Sequence, residues 1–146
     1  MKIANKKRFF IFVAAVVAGI ALLCFGLWFF RTQPLIDIIS KQVNVDDVAR
    51  MEIMRAQSAF DQEEKAIADP SMIRLVLSTL DSAQVKRKLF IGSAPTIIPD
   101  ASYKVRIIDA QEKTIVLDII GARVVVNYST RYDAVNAEFS SIGQVF

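Results

Sequence analysis

The stretch FFIFVAAVVAGIALLCFGLWFF, from Phe9 to Phe30, contains 22 consecutive residues without a charge. At about 1.5 Å per residue a helix of this length extends about 33 Å, enough to cross a hydrocarbon core of about 30 Å. In lipid a backbone has no water to bond to, so such a segment must be helical throughout. Gly19 and Gly26 are compatible with this, because glycine is common in membrane helices. A cleaved secretory signal has an apolar core of about 7–15 residues followed by small residues. Here the run continues into Leu27-Trp28-Phe29-Phe30-Arg31. A lipoprotein signal would end its apolar segment at cysteine, whereas Cys24 is followed by six more uncharged residues. The sequence therefore predicts an uncleaved single-pass anchor in the lipid bilayer.

Charge sets the expected orientation. Lys2, Lys6, Lys7 and Arg8 precede the run, and only Arg31 follows it closely. The positive-inside bias places residues 1–8 as a cytoplasmic stub, with Trp28, Phe29 and Phe30 as an interfacial belt at the outer end. The expected layout is a stub at 1–8, a span at 9–30, a juxtamembrane linker at 31–45 and an extracytoplasmic domain at 46–146. The linker carries Leu35, Ile36, Ile38 and Ile39 and is too apolar to be a free tether; it is expected either to lie at the membrane surface or to pack on the domain.

The same five basic residues account for the high pI. Removing them leaves 13 basic against 15 acidic residues in the remainder of the chain. That balance does not suggest nucleic-acid binding. The chain has no histidine, and its one cysteine lies in the apolar run. Disulfides within the domain, Cys or His nucleophile–base pairs and ordinary zinc sites are excluded with them. No cofactor or small-molecule substrate is predicted.

Beyond the linker, the signals alternate between strand and helix. Val48–Ala56 fits either, and the alternation of Ala49, Met51 and Ile53 with Arg50 and Glu52 favours a strand. Residues 57–65 read as a polar loop, with a short extended piece at 65–68. Asp69-Pro70 is an N-cap followed by proline at the first helical position, and Met72, Ile73, Val76, Leu77 and Leu80 recur at helical spacing. This predicts an amphipathic helix over 70–82. Strands are expected at 84–91, 102–109 and 114–120, with a proline-containing loop over 92–100 and a polar turn at Gln111-Glu112-Lys113. Gly121-Ala122 suits a two-residue hairpin with glycine first. Val124, Val126 and Tyr128 would line one face of the last strand, and 134–142 would form a closing helix. The fold class is α+β: a small antiparallel sheet carrying one packed amphipathic helix.

This order resembles small exported domains of lipoproteins and single-span proteins of Gram-positive bacteria. The stretches that carry the likeness are Val48-Ala49-Arg50-Met51-Glu52-Ile53, Ala66-Ile67-Ala68-Asp69-Pro70-Ser71-Met72-Ile73, Leu77-Ser78-Thr79-Leu80 and Tyr103-Lys104-Val105-Arg106-Ile107. The resemblance implies a first strand, then a helix, then a hairpin-rich sheet. It carries over no functional residue, and the chain departs from the lipoproteins in lacking a lipobox. Pilin-like chains resemble it in basic stub and apolar helix but carry a glutamate within the helix; the first glutamate here is Glu52. Coupling components of conjugation or secretion machines share the topology but have larger domains.

The candidate sites are few. Lys86, Lys88, Lys104 and Arg106 fall on strands and are expected to form a basic interaction patch for a wall polymer, lipid headgroups or an acidic partner. Asp61, Glu63 and Glu64 are an acidic run without the glycine turn that calcium loops use. Ser93 follows Gly92 and is the only serine that suggests a nucleophile. Asn127-Tyr128-Ser129 matches a glycosylation acceptor. Ala15 and Gly19 are spaced to seat a partner helix. The expected function is a non-enzymatic, membrane-anchored interaction module, with another membrane or envelope protein as a possible partner. The alternative is a structural subunit of a larger membrane complex.

Overall fold

The computed structural model describes residues 2–57, 61–88, 102–136 and 139–146. They divide into two units, Met1–Arg31 and Thr32–Phe146. The first is one helix, α1 (Lys2–Phe29). Its segment Phe9–Phe29 is long and apolar enough to cross a membrane. At its C-terminal end Phe25 stacks on Phe29 with centroids 5.7 Å apart, and the Arg31 guanidinium lies 5.9 Å from the Trp28 ring.

The second unit runs β1 (Thr32–Pro34), α2 (Leu35–Ile39), β2 (Val48–Ala56), β3 (Gln62–Ile67), α3 (Pro70–Ser82), β4 (Gln84–Arg87), β5 (Ser102–Asp109), β6 (Thr114–Ile120), β7 (Arg123–Val126) and β8 (Thr130–Asn136). Short 3₁₀ turns lie at Val45–Asp47 and Phe139–Val145. The strands form one antiparallel sheet in the order β1-β4-β8-β7-β6-β5-β2-β3. The fold class is therefore α+β, as the sequence implies, with an eight-stranded sheet.

One face of the sheet carries the core. Met51, Ile53, Val105, Ile107, Leu117 and Val124 point from the strands toward Val76 and Leu80 of α3 and Ile142 of the C-terminal turn. The other face is the outer one, where the alternating polar residues lie. Helix α3 begins as read from the sequence: the Asp69 carboxylate accepts the Ser71 N–H at 3.2 Å, and Pro70 needs no donor at the first position. Bonds from the Ser71 hydroxyl and N–H hold the Asp69 carboxyl below its ordinary pKa.

The segment expected to be a linker belongs to the folded unit. Thr32–Pro34 pairs with β4, and Leu35, Ile38, Ile39 and Val43 are buried in the core. Its apolar residues satisfy the sheet rather than a membrane surface. Three further bonds fix it: Leu35 N–H to Ala83 O at 2.8 Å, Asn44 N–H to the Asp109 carboxylate at 3.0 Å, and Asn127 Nδ2 to Gln42 Oε1.

Asp109 is a buried carboxylate that the sequence reading did not single out. Its two oxygens accept N–H bonds from Asn44, Gln111 and Lys113, which ties residue 44 to the β5–β6 turn. The Asn44 bond leads the interactions that lower its pKa, against the opposing effect of burial. The turn itself places Glu112 at φ 61°.

Three other expectations change. Residues 62–65, read as loop, belong to edge strand β3; the charged Glu63 and Lys65 take the positions that pair with Arg55 and the inward Ile53, so the strand shows no apolar alternation there. Tyr128 is not on a strand. Asn127 and Tyr128 occupy left-handed conformations, at φ 48° and 58°, in the turn between β7 and β8. Strand β8 then takes residues 134–136 from the expected helix, and the closing element is a 3₁₀ turn from Phe139 that buries Phe139 and Ile142. The strand at 84–91 ends in the structure at Arg87, while the residues from 89 to 101, including the expected loop and Ser93, lie outside the described residues. The Gly121-Ala122 hairpin forms as expected: Ile120 pairs with Arg123, and Gly121 alone takes positive φ, at 58°.

Candidate functional site

The four basic residues read from the sequence do not form one patch. Lys86 and Lys88 belong to β4 and its extension, and Lys104 and Arg106 to β5. Three strands lie between them, β8, β7 and β6. At about 4.8 Å per strand step the separation along the sheet is about 19 Å. The β5 pair is also neutralised by residues directly across the ladder. Lys104 faces Asp118 at 3.7 Å, and Arg106 faces Glu52 at 2.8 Å.

A different basic cluster is assembled at the other end of the outer face. The register sets Asp133 of β8 between Arg123 of β7 and Lys86 of β4. Lys88 Nζ reaches the Asp133 carboxylate at 2.7 Å, and the Lys88 N–H extends the pairing to the Arg131 carbonyl at 3.0 Å. Arg131 shares the parity of Asp133 and so lies on the same face. Lys86, Lys88, Arg123 and Arg131 thus stand around one carboxylate. Arg87, the middle of the Lys86-Arg87-Lys88 motif, pairs with Tyr132 and belongs to the opposite side. Burial raises the Tyr132 phenol above its usual pKa, and the Arg87 charge opposes that rise.

Sequence reasoning found half of this cluster. Arg123 follows directly from the Gly121-Ala122 hairpin, which fixes its parity. Arg131 is legible only once β8 is known. Its strand carries just Tyr132 and Ala134 as inward apolar residues, too few to show a period.

The outer face also holds a shallow groove of about 370 Å³, lined mainly by Met54, Ala56, Ile120 and Val125. Lys104 and Asp118 lie on it, and Tyr128 stands at its side with the Lys104 ammonium 5.4 Å from the ring. An exposed tyrosine at positive φ is uncommon. It is held there by Asn127, whose N–H bonds the Val116 carbonyl at 2.8 Å while its Oδ1 accepts the Val116 N–H at 2.9 Å. The asparagine of the expected glycosylation acceptor is thereby committed to the fold. The groove is apolar with one ion pair, and the Ser102 hydroxyl within it donates to the Ala56 carbonyl at 3.4 Å. Nothing in that arrangement activates a nucleophile.

The acidic run does not converge. Glu63 and Glu64 are consecutive on β3 and point to opposite faces, and Glu63 lies 3.9 Å from Arg55. Among the described residues no group of three or more acidic, cysteine or histidine side chains is placed to hold a metal ion.

Comparison with known proteins returned no matching family model, no curated relative and no similar solved structure.

Proposed function

We propose that the chain is a single-span membrane protein that presents Thr32–Phe146 on the non-cytoplasmic side as a non-enzymatic docking module. The observation that carries this reading is the Phe9–Phe29 helix, uncharged throughout and preceded by Lys2, Lys6, Lys7 and Arg8. A folded unit with its own core begins three residues after that helix ends, at Thr32. The unit's edges are poor docking sites: β1 ends in Pro34, which offers no N–H, and β3 presents Gln62, Glu63, Glu64 and Lys65. This leaves the outer face of the sheet as the surface on which a partner would dock.

A protease-protection assay on intact cells, with a tag after Phe146, tests the orientation. External protease should remove the tag without cell lysis. A protected tag would place the module in the cytoplasm and refute the proposal. The alternative, a subunit of a larger membrane complex with the span as contact, draws on the Ala15 and Gly19 pair. It predicts loss of co-purifying membrane proteins when α1 is exchanged for an unrelated span, whereas the docking module predicts that they are retained.

A further inference from the structure

We propose that the groove beside Tyr128 on the outer face of the sheet binds an extended, uncharged and apolar peptide segment of a partner protein. The inference rests on the reading of Thr32–Phe146 as a docking module and names what the module takes. It draws on no residue of α1.

The sheet register builds the groove. Met54, Lys104, Asp118 and Val125 follow one another across β2, β5, β6 and β7, and Ala56, Ser102 and Ile120 form the adjoining row. Ala56 and Ser102 are small, so the surface dips between the larger side chains of Met54 and Ile120, leaving a volume of about 370 Å³. The apolar lining falls into two groups, Met54 and Ala56 on one side and Ile120, Val125 and Tyr128 on the other. The Lys104–Asp118 pair lies between them.

The conformation of Tyr128 is the first observation that points to a ligand. The Ser129 N–H bonds the Val126 carbonyl at 3.1 Å across Asn127 and Tyr128, both left-handed. In a hairpin turn of this kind glycine usually takes the second central place. A tyrosine there costs stability, because its Cβ crowds the backbone. Burial does not offset that cost, since Tyr128 is 63% exposed. What the strained residue does achieve is an aromatic wall at the side of the groove, with the Lys104 ammonium 5.4 Å from its ring.

The ion pair is the second observation, and it selects the ligand by charge. Lys104 Nζ and the Asp118 carboxylate are 3.7 Å apart, too far for a hydrogen bond. The ammonium therefore keeps donors, and the carboxylate keeps lone pairs, for a ligand. Their charges cancel, so the pair complements a neutral group that offers one acceptor and one donor. A peptide backbone offers both, its carbonyl to Lys104 and its N–H to Asp118. A charged side chain would meet one attraction and one repulsion. In an extended segment, side chains two residues apart lie about 7 Å apart on the same face. Such a pair reaches the two apolar groups while the backbone between them crosses the ion pair.

The test uses the full chain in phosphatidylcholine nanodiscs with isotope-labelled methionine methyls, read by nuclear magnetic resonance. The probe is the capped peptide N-acetyl-Leu-Ala-Leu-amide. Met54 lines the groove, whereas Met51 is buried on the core side and Met72 lies on α3. The Met54 resonance should move saturably with the peptide, while those of Met51 and Met72 stay. The capped peptides with glutamate or lysine in place of leucine should leave all three unmoved. Tyr128→Gly should weaken the affinity roughly fivefold, the equivalent of about 1 kcal/mol, with no loss of folding because glycine suits the turn. Lys104→Met, which keeps the stem and removes the donors, should weaken it as well. A Met54 resonance that ignores the leucine peptide, or follows the charged peptides equally, overturns the proposal. So does a Tyr128→Gly variant that binds as the wild type does. A response to maltotriose and not to the peptide assigns the groove to a neutral glycan and overturns it too. The protease-protection assay is independent of these outcomes: a protected tag refutes the orientation and leaves the groove standing, while a silent Met54 refutes the groove alone.

Discussion

Replacing Ile39 by alanine measures whether residues 32–45 are part of the fold. Ile39 is fully buried in the core formed by α2, α3 and the sheet. The change removes three buried carbons at about 0.8 kcal/mol each, and the cavity left behind raises the cost to about 3 kcal/mol. The unit Thr32–Phe146 has roughly 115 residues, and at about 2.1 cal/mol/K per residue its unfolding entropy is about 0.24 kcal/mol/K. The midpoint should therefore fall by about 12 °C. The assay is thermal unfolding of the full chain in mild detergent, followed by the near-ultraviolet circular dichroism to which the buried Tyr103 and Tyr132 contribute. Asp37→Ala, at an exposed position of the same helix, is the control and should move the midpoint by no more than about 2 °C. Equal, small shifts for both variants would refute the reasoning and restore the segment to a linker.

Three further outcomes follow from the same packing. Asp109→Asn should destabilise the protein most at neutral pH. The folded carboxyl lies below its ordinary value, so its contribution is present above about pH 4 and disappears as pH falls through the folded pKa; wild type and variant should converge in acid denaturation curves. Gly143→Ala should cost about 1–2 kcal/mol in denaturant unfolding, since the new methyl would stand 2.9 Å from the buried Tyr103 hydroxyl; Tyr103→Phe in the same chain should recover part of the loss. Asn127→Ala should cost about 2 kcal/mol by orphaning the Val116 N–H, and hydrogen exchange at that amide should accelerate.

The parts of this fold that were legible in the sequence are those where a local rule and burial agree. Asp69-Pro70 opens α3, Gly121-Ala122 closes the β6–β7 hairpin, and the inward Tyr103, Val105 and Ile107 of β5 alternate with Ser102, Lys104 and Arg106. The parts that were not legible depend on distant partners. Strand β1 offers three polar or imino residues and is a strand only because β4 lies beside it. Strand β3 is an edge whose charges mask its period, and β8 follows a turn in which an asparagine side chain takes the place of a backbone carbonyl. The basic cluster shares this origin. Lys86 and Lys88 are visible as a motif, but their company is decided by sheet order, which replaces Lys104 and Arg106 with Arg123 and Arg131.

The pairing of the earliest residues with late ones also governs how the protein is made. Leu35 waits for Ala83, Asn44 for Asp109 and Gln42 for Asn127. The first strand and helix of the unit therefore leave the ribosome before these partners, and the segment is satisfied only in steps, as residues 83–87, then 109, then 127 are made. Closing such distant contacts is slow, and apolar residues such as Leu35 and Ile39 are exposed meanwhile. Translation speed and chaperone supply should thus affect the yield of this protein.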